Sequence, residues 1–302
     1  MTALQADSGG GAAHSLVPMP EGEPFRVLQL TDFHTDASDA ANQRTWEAVR
    51  RLAVQWRPHF LAVTGDIWCG DGAPDLAPGW MERDIAALGA LGAPWALVLG
   101  NHDYVEDLDR ALTVLRDAPG SAMPPGDGRG NFRVSLCPAG AHLPAWDLYF
   151  LNSHAESLED ADVAWLEAEA AALRRERGRE TPSIVYFHIP LKQYEIARLE
   201  GRYTGIAQEE VLYWGDDGTL FPRIRDAGGV RACFAGHSHV NDFYLEEDGV
   251  ILGYGRCTGY GGYGGHRLAR GATLVELEPR EGRFSFKTVF PDGAEWRPSR
   301  TL

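Results

Sequence analysis

Apolar residues along this chain fall into short extended runs, and most of these runs stop at polar residues able to do chemistry. Residues 25–30 are extended and apolar-rich, and they lead straight into Thr31-Asp32-Phe33-His34, which predicts a strand ending in reactive groups. Trp46, Val49, Ala53 and Trp56 then recur at helical spacing before Pro58, and residues 60–63 form a second short strand ending at Thr64-Gly65-Asp66. Ile85, Leu88 and Leu91 predict another helix, stopped near Gly92 and Pro94. Residues 95–99 supply a strand that reaches Gly100-Asn101-His102-Asp103. The pattern is strand, helix, strand, with polar groups at each strand end.

In the second half, residues 117–131 are rich in Pro and Gly and predict a loop, followed by strands over 132–136 and 147–151. Ser157 is positioned to cap a helix whose apolar face is Val163, Leu166, Ala170 and Leu173, with Arg174, Arg175 and Arg177 near its end and Gly178 beyond it. Residues 183–187 read as a buried strand delivering His188, and 232–235 as another delivering Gly236-His237-Ser238-His239. Asp248-Gly249 predicts a tight hairpin turn, and the β-rich segments 272–277 and 283–290 a closing hairpin around Glu281-Gly282.

Composition narrows the function classes. The chain has 302 residues, 44% of them hydrophobic, enough for one large core. Residues 25–302 are therefore expected to form one domain, and the Gly-rich residues 1–24 a disordered leader without the pattern of a secretory signal. With 43 acidic against 28 basic residues the formal charge is −15, which disfavours general nucleic-acid and anionic-membrane binding. No apolar run approaches the ~20 residues needed to span a bilayer. Cys69, Cys137, Cys233 and Cys257 lack the spacing of a zinc knuckle or a disulfide scaffold, so reduced thiols and a cytoplasmic location are expected.

The strand ends carry a metal-site vocabulary. Their Asp, His and Asn side chains are hard-to-borderline donors that suit Mn, Fe, Zn or Mg rather than a thiolate-loving metal. Asp32 and His34 are two apart and can grip one ion, and His237 and His239 repeat that spacing. With Asp66, Asn101 and His188 the set totals seven, more than the three or four protein ligands of one typical catalytic site. Two ions explain the excess better than one.

Taken in order, Asp32-Phe33-His34, Gly65-Asp66, Gly100-Asn101-His102-Asp103, His188 and Gly236-His237-Ser238-His239 resemble the motifs of the calcineurin-like metallophosphoesterases. The resemblance spans roughly residues 25–240 and implies an α/β sandwich of two mixed β-sheets flanked by helices, four layers in all, with the site on loops after the strands. It assigns Asp32, His34 and His239 to a first metal, Asn101, His188 and His237 to a second, and Asp66 to both. Two divalent ions, two carboxylates and a bridging hydroxide then leave a local charge of about plus one, suited to an anionic ester. The resemblance leaves His102 off the metals, facing the substrate as a charge stabiliser or acid, with Asp103 orienting its ring.

The match to the purple acid phosphatases is partial. Cys69 stands where that branch places tyrosine and His34 where it places glycine, so no ferric tyrosinate is implied. The stretches 187–190, 205–210, 237–242 and 254–262 look more like a non-purple, acid-phosphatase-like branch. The resulting expectation is a two-metal hydrolase of small phosphate esters in which a metal-bridging hydroxide is the nucleophile and monoesters are favoured. The alternatives are a phosphodiesterase, including a cyclic-nucleotide type, and a scaffold without catalysis. Tyr254, Tyr260 and Tyr263 could wall the site or merely form a Gly-rich loop, and Arg202 could reach a phosphate or be solvated. His154 is set aside as a rim residue.

Overall fold

The computed structural model describes residues 5–6, 15–279 and 282–296. In chain order the first half contains β1 (Gln5–Ala6), β2 (Ser15–Met19), β3 (Phe25–Leu30), α1 (Asp39–Trp56), β4 (Phe60–Thr64), α2 (Ala77–Gly89), β5 (Trp95–Val98) and α3 (Leu108–Asp117). The middle contributes β6 (Phe132–Pro138), β7 (Trp146–Phe150), α4 (Asp160–Arg177), β8 (Ser183–Tyr186), α5 (Lys192–Glu200), β9 (Thr204–Ala207) and α6 (Leu220–Asp226). Then follow β10 (Val230–Ala235), β11 (Asn241–Glu247), β12 (Val250–Tyr254), β13 (Ala272–Leu277), β14 (Phe284–Val289) and β15 (Glu295–Trp296).

These strands make two mixed sheets. Nine strands run in the order β1-β2-β6-β7-β8-β10-β12-β11-β9, and six in the order β15-β14-β13-β3-β4-β5. Strand alternation explains how they pack. Ile184 and Tyr186 of β8, with Ala232 and Phe234 of β10, point into the core shared with the six-stranded sheet. Their neighbours Val185, Cys233 and Ala235 point the other way, onto Val163, Leu166 and Leu173 of α4, Tyr194 of α5 and Phe221 of α6. Trp46, Val49 and Leu52 of α1 and Ile85 and Leu88 of α2 pack into the core of the six-stranded sheet. The layers are those of an α/β sandwich, as the motif resemblance implies.

Several local expectations shift. Helix α1 ends where Pro58 requires, with Arg57 left-handed at φ 45° as its cap. Helix α4 is capped by Glu159 rather than Ser157: the Glu159 and Asp162 side chains each accept the other's backbone N–H. Residues 15–19, assigned to the leader, instead form β2, which runs parallel to β6. Val17 and Met19 alternate into the core there, a signal too short to stand out beside Pro18 and the glycines before it. The Asp248-Gly249 turn joins β11 to β12 with both residues at positive φ, and β13 pairs with β14 as a closing hairpin. Glu281 of that hairpin's turn lies outside the described residues. Helices α3, α5 and α6 fall outside the expected elements, although Leu108, Ala111, Leu112 and Leu115 give α3 an apolar face at helical spacing.

What matters for chemistry is direction. Strands β3, β4 and β5 are neighbours and parallel, so their C-terminal ends lie along one edge. In the other sheet β8 and β10 are likewise neighbours and parallel. Five strand ends, three from one sheet and two from the other, meet in one cleft. Gln29 ties the sheets together beneath it, its amide donating to Thr64 Oγ1 at 2.9 Å and to the Ala235 carbonyl at 3.2 Å.

Candidate metal centre

The turns that leave these strands hold side chains in uncommon backbone conformations. Asp32, His34, Asp66 and His237 all have left-handed φ, at 56°, 48°, 54° and 73°. Each costs conformational energy that regular packing does not require, and such residues cluster at functional sites. Gly65, at φ 85°, permits a close approach: a Cβ there would lie 2.6 Å from the Gly100 amide nitrogen and 2.7 Å from the His188 ring.

Two groups of donors result. Ligand atoms of Asp32, His34 and His239 lie within 4.8 Å of one another, and so do those of Asp66, His188 and His237. Asn101 joins the second group, its Oδ1 standing 3.1 Å from His188 Nε2. Asp66 stands between the groups. Its Oδ2 is 3.3 Å from His34 Nε2 and 3.2 Å from His188 Nε2, while its Oδ1 accepts the His102 amide at 2.8 Å. One carboxylate oxygen is thereby anchored and the other faces both groups.

The donors are oriented for cations. His188 Nδ1 meets the Thr64 carbonyl at 2.7 Å, which fixes a proton on that nitrogen and turns Nε2 toward Asn101 and Asp66. His34 Nε2 and His239 Nε2 face each other at 2.9 Å, so at most one proton can lie between them. Asp32 Oδ2 accepts from Thr31 Oγ1 and the His237 amide. Asp32 Oδ1 and His237 Nδ1, by contrast, are buried with no hydrogen-bond partner. Buried polar atoms are rarely left so, because each costs ~1–3 kcal/mol. The donor set fits two divalent cations.

The electrostatics point the same way. Burial alone would raise Asp66, yet His188 and His34 hold its carboxyl well below the usual range. Burial likewise opposes charge on His34 and His188, but the Asp66 carboxylate overcomes it and raises them to about 10 and about 9. His237 is pushed down to about 3 by burial, with the charge on His188 adding to the effect. The carboxylates thus hold protons on imidazoles where cations would otherwise sit.

His102 lies beside the first group, its ring centroid 4.9 Å from that of His34. It is held charged, raised to about 9 mainly by its hydrogen bond with Cys69, with Asp66 and Asp71 reinforcing it. The expected partner is corrected here. Asp103 does not touch the His102 ring; its carboxylate accepts the amides of Asp66, Ile67, Trp68 and Gly100 at 2.7–3.0 Å and fastens two site loops together. Asp71 Oδ2 pairs with His102 Nδ1 instead, at 3.0 Å. Asp71 and His102 are 31 residues apart, and only the Gly70-Asp71-Gly72 turn hinted at a presented carboxylate.

Of the aromatic loop, Tyr254 is buried and Tyr260 lies under Arg44. Tyr263 alone reaches the site, stacked on His239 at 4.1 Å and 54% exposed. Trp214, which sequence reading did not single out, stands edge-on to His237 at 5.0 Å and is 47% exposed. Arg202 pairs with Glu200 and Glu247. His154 sits in a network with Arg129 and Asp162.

Fold and site together define a phosphoesterase of the two-metal type, and comparison with known families agrees. The calcineurin-like phosphoesterase model matches residues 25–241, and the chain belongs to that family, hydrolases of phosphate esters that use dinuclear metal centres. It is 28% identical to "Probable inactive purple acid phosphatase 28" of Arabidopsis thaliana, over 88% of this chain and 78% of that one. It is 24% identical to "Phosphatase DCR2" of Saccharomyces cerevisiae, over 86% of this chain and 52% of the other. Among solved structures, a dimetal phosphatase from Danio rerio shares the fold with a TM-score of 0.59 at 15% identity, over 88% of this chain and 96% of that one.

Proposed function

We propose that the chain hydrolyses phosphate monoesters in preference to diesters, with Asp32, His34 and His239 holding one divalent ion, Asn101, His188 and His237 a second, and Asp66 reaching both. Mn, Fe or Zn suits these donors, and Mg can also fit. Bound there, the two cations would screen phosphate charge and activate water. The observation that carries the reading is Asp66 Oδ2, placed at 3.3 and 3.2 Å from one imidazole of each group.

The protein's own groups do the rest. Thr64 and Thr31 fix the His188 tautomer and one Asp32 oxygen, so the donors are oriented before any ion arrives. Asp103 clamps the loops that carry Asp66 and Gly100, which limits drift of the donors. His102, charged at neutral pH and partly open to solvent, can give a proton to the leaving oxygen or stabilise negative charge as the ester bond breaks. Asp71 holds its ring through Nδ1, leaving Nε2 as the donating atom.

A positive site with a charged His102 favours a dianion, hence the monoester. Trp214 and Tyr263 favour the second reading, a diesterase, because exposed aromatic faces beside both groups can shelve a second organic group. The substrate is a small phosphoester rather than nucleic acid, given the charge of −15. The four free cysteines support a reducing compartment such as the cytoplasm. The test is kcat/KM for p-nitrophenyl phosphate, its bis ester and a cyclic nucleotide after Mn²⁺ is added to metal-free protein. Preference for the monoester is expected. Preference for a diester promotes the second reading, and a protein that binds metal but turns over none of them is a scaffold.

A further inference from the structure

Cys69 stands in the cleft beside His102, and its part in the hydrolysis described above is confined to keeping that imidazole charged. It lies three residues beyond Asp66, and its amide donates to the Thr35 carbonyl at 2.8 Å, which holds the loop alongside the His34 turn. The Cys69 sulfur, a His34 nitrogen and a His102 nitrogen all lie within 4.8 Å of one another. Donors that share one zinc-sized ion lie at most about 4.4 Å apart, given Zn–S of about 2.3 Å and Zn–N of about 2.1 Å. In a tetrahedral shell those bonds put sulfur and nitrogen about 3.6 Å apart, so binding would draw the thiol inward by up to about 1.2 Å.

A second observation concerns the neighbouring donors. His34 also belongs to the group with Asp32 and His239, where Asp32 Oδ1 is buried and lacks any hydrogen-bond partner. The thiol therefore borders a donor set that is short of a cation. The other three cysteines differ: Cys233 is buried in the core, Cys257 is buried with its thiol donating to the Asp32 backbone carbonyl at 3.5 Å, and Cys137 lies at the end of β6. The Cys69 thiol, by contrast, is half-buried at the cleft and donates to Asp71 Oδ1 at 3.7 Å.

We propose that Cys69 is a sulfur donor to the cation of the Asp32, His34 and His239 group, giving that position a mixed nitrogen, oxygen and sulfur shell. Such a shell takes a thiophilic divalent metal, Zn²⁺, Fe²⁺ or Co²⁺, in preference to Mg²⁺ or Mn²⁺. On binding, the thiol proton leaves to solvent and the sulfur lone pair forms the new bond, so the site gains one negative charge to offset the metal. The donor set is then softer than the Asp, His and Asn motifs alone imply. This inference rests on the two-ion reading of the cleft.

The test uses full-length metal-free protein titrated with Co²⁺ and read by absorbance, since a thiolate bound to Co²⁺ gives a near-ultraviolet charge-transfer band that imidazole and carboxylate do not. Wild type and Cys137→Ser should show the band, and Cys69→Ser and Cys69→Ala should lose it. Alkylation of Cys69 by iodoacetamide, located by peptide mass, should be suppressed by Zn²⁺ and not by Mg²⁺. Co²⁺ bound by wild type without the band, or a band that survives in Cys69→Ala, would overturn the assignment while leaving the two-ion reading intact. Wild type that binds no Co²⁺ would overturn both.

Discussion

Among the buried clusters of ionisable groups in the described residues, two are built on opposite principles. Between the nine-stranded sheet and α4, Arg133 and Arg177 surround Asp147, with Glu169, Ser135 and Thr181 completing the network. The partners of its one buried acid are complete: both Asp147 oxygens are bonded, and Arg177 reaches Oδ2 at 2.6 Å. At the cleft, acids and imidazoles crowd together, with Asp32 Oδ1 and His237 Nδ1 lacking a hydrogen bond, Oδ1 no nearer to a cation than His239 Nε2 at 3.5 Å, and four residues in left-handed conformations. Complete pairing on regular strands is what a structural network needs. Converging lone pairs on strained turns are what a binding site needs, because the missing partner is a ligand.

The comparison can be broken by mutation. Asp66→Asn should cause the largest loss of turnover, greater than either Asp32→Asn or His34→Ala, because Asp66 alone faces both donor groups. Metal content should fall with it, as measured by mass spectrometry after dialysis. Full activity in Asp66→Asn would remove the bridging role. His102→Ala should lose roughly 10²–10⁴-fold in kcat while keeping its metal, the cost of a missing acid rather than a missing ligand. Loss of an equivalent of metal in that variant would make His102 a donor instead.

The structural network should respond in the opposite manner. Asp147→Ala leaves the buried Arg177 guanidinium without its counter-charge and Arg133 with Glu169 alone, and should cost about 3–5 kcal/mol of stability. Denaturant unfolding reads that loss, while metal content of the surviving folded protein stays at the wild-type level. A variant that sheds metal without losing stability would erase the distinction between the two clusters.

A smaller effect concerns pH. His34 and His188 in the metal-free protein are raised to about 10 and about 9, above the unfolded value of ~6.5. Their pairing with Asp66 therefore contributes stability in full below pH ~6.5, and that contribution is lost as pH rises through 9–10. Metal ions compete with the same protons. Binding at neutral pH should release about two protons per chain and strengthen as pH rises, which calorimetry in buffers of different ionisation enthalpy will show. Proton release near zero would contradict the charged pairing.

The two clusters also differ in how far sequence exposes them. Asp32 and His34, Gly65-Asp66, Asn101-His102 and His237 and His239 are local motifs at the ends of apolar runs, and each can be read within a few residues. The parallel neighbours β3, β4 and β5 bring the first three together, and packing of the second sheet adds His237 and His239 after β10. Asp71 with His102, the four amides on Asp103, and Trp214 against His237 join segments with no fixed spacing, so only tertiary packing reveals them. The partial motif logic that paired Asp103 with the His102 ring failed for that reason. Strand β2 escaped notice because it is five residues long and owes its place to β6 rather than to its own propensity.

The most direct test of the two-ion cleft is the number of metal ions bound per chain. Metal-free protein dialysed against Mn²⁺ or Zn²⁺ and analysed by inductively coupled plasma mass spectrometry should hold two equivalents in the wild type and fewer in Asp66→Asn. A single equivalent in the wild type, or two retained undiminished in Asp66→Asn, would contradict the assignment of Asp66 to both.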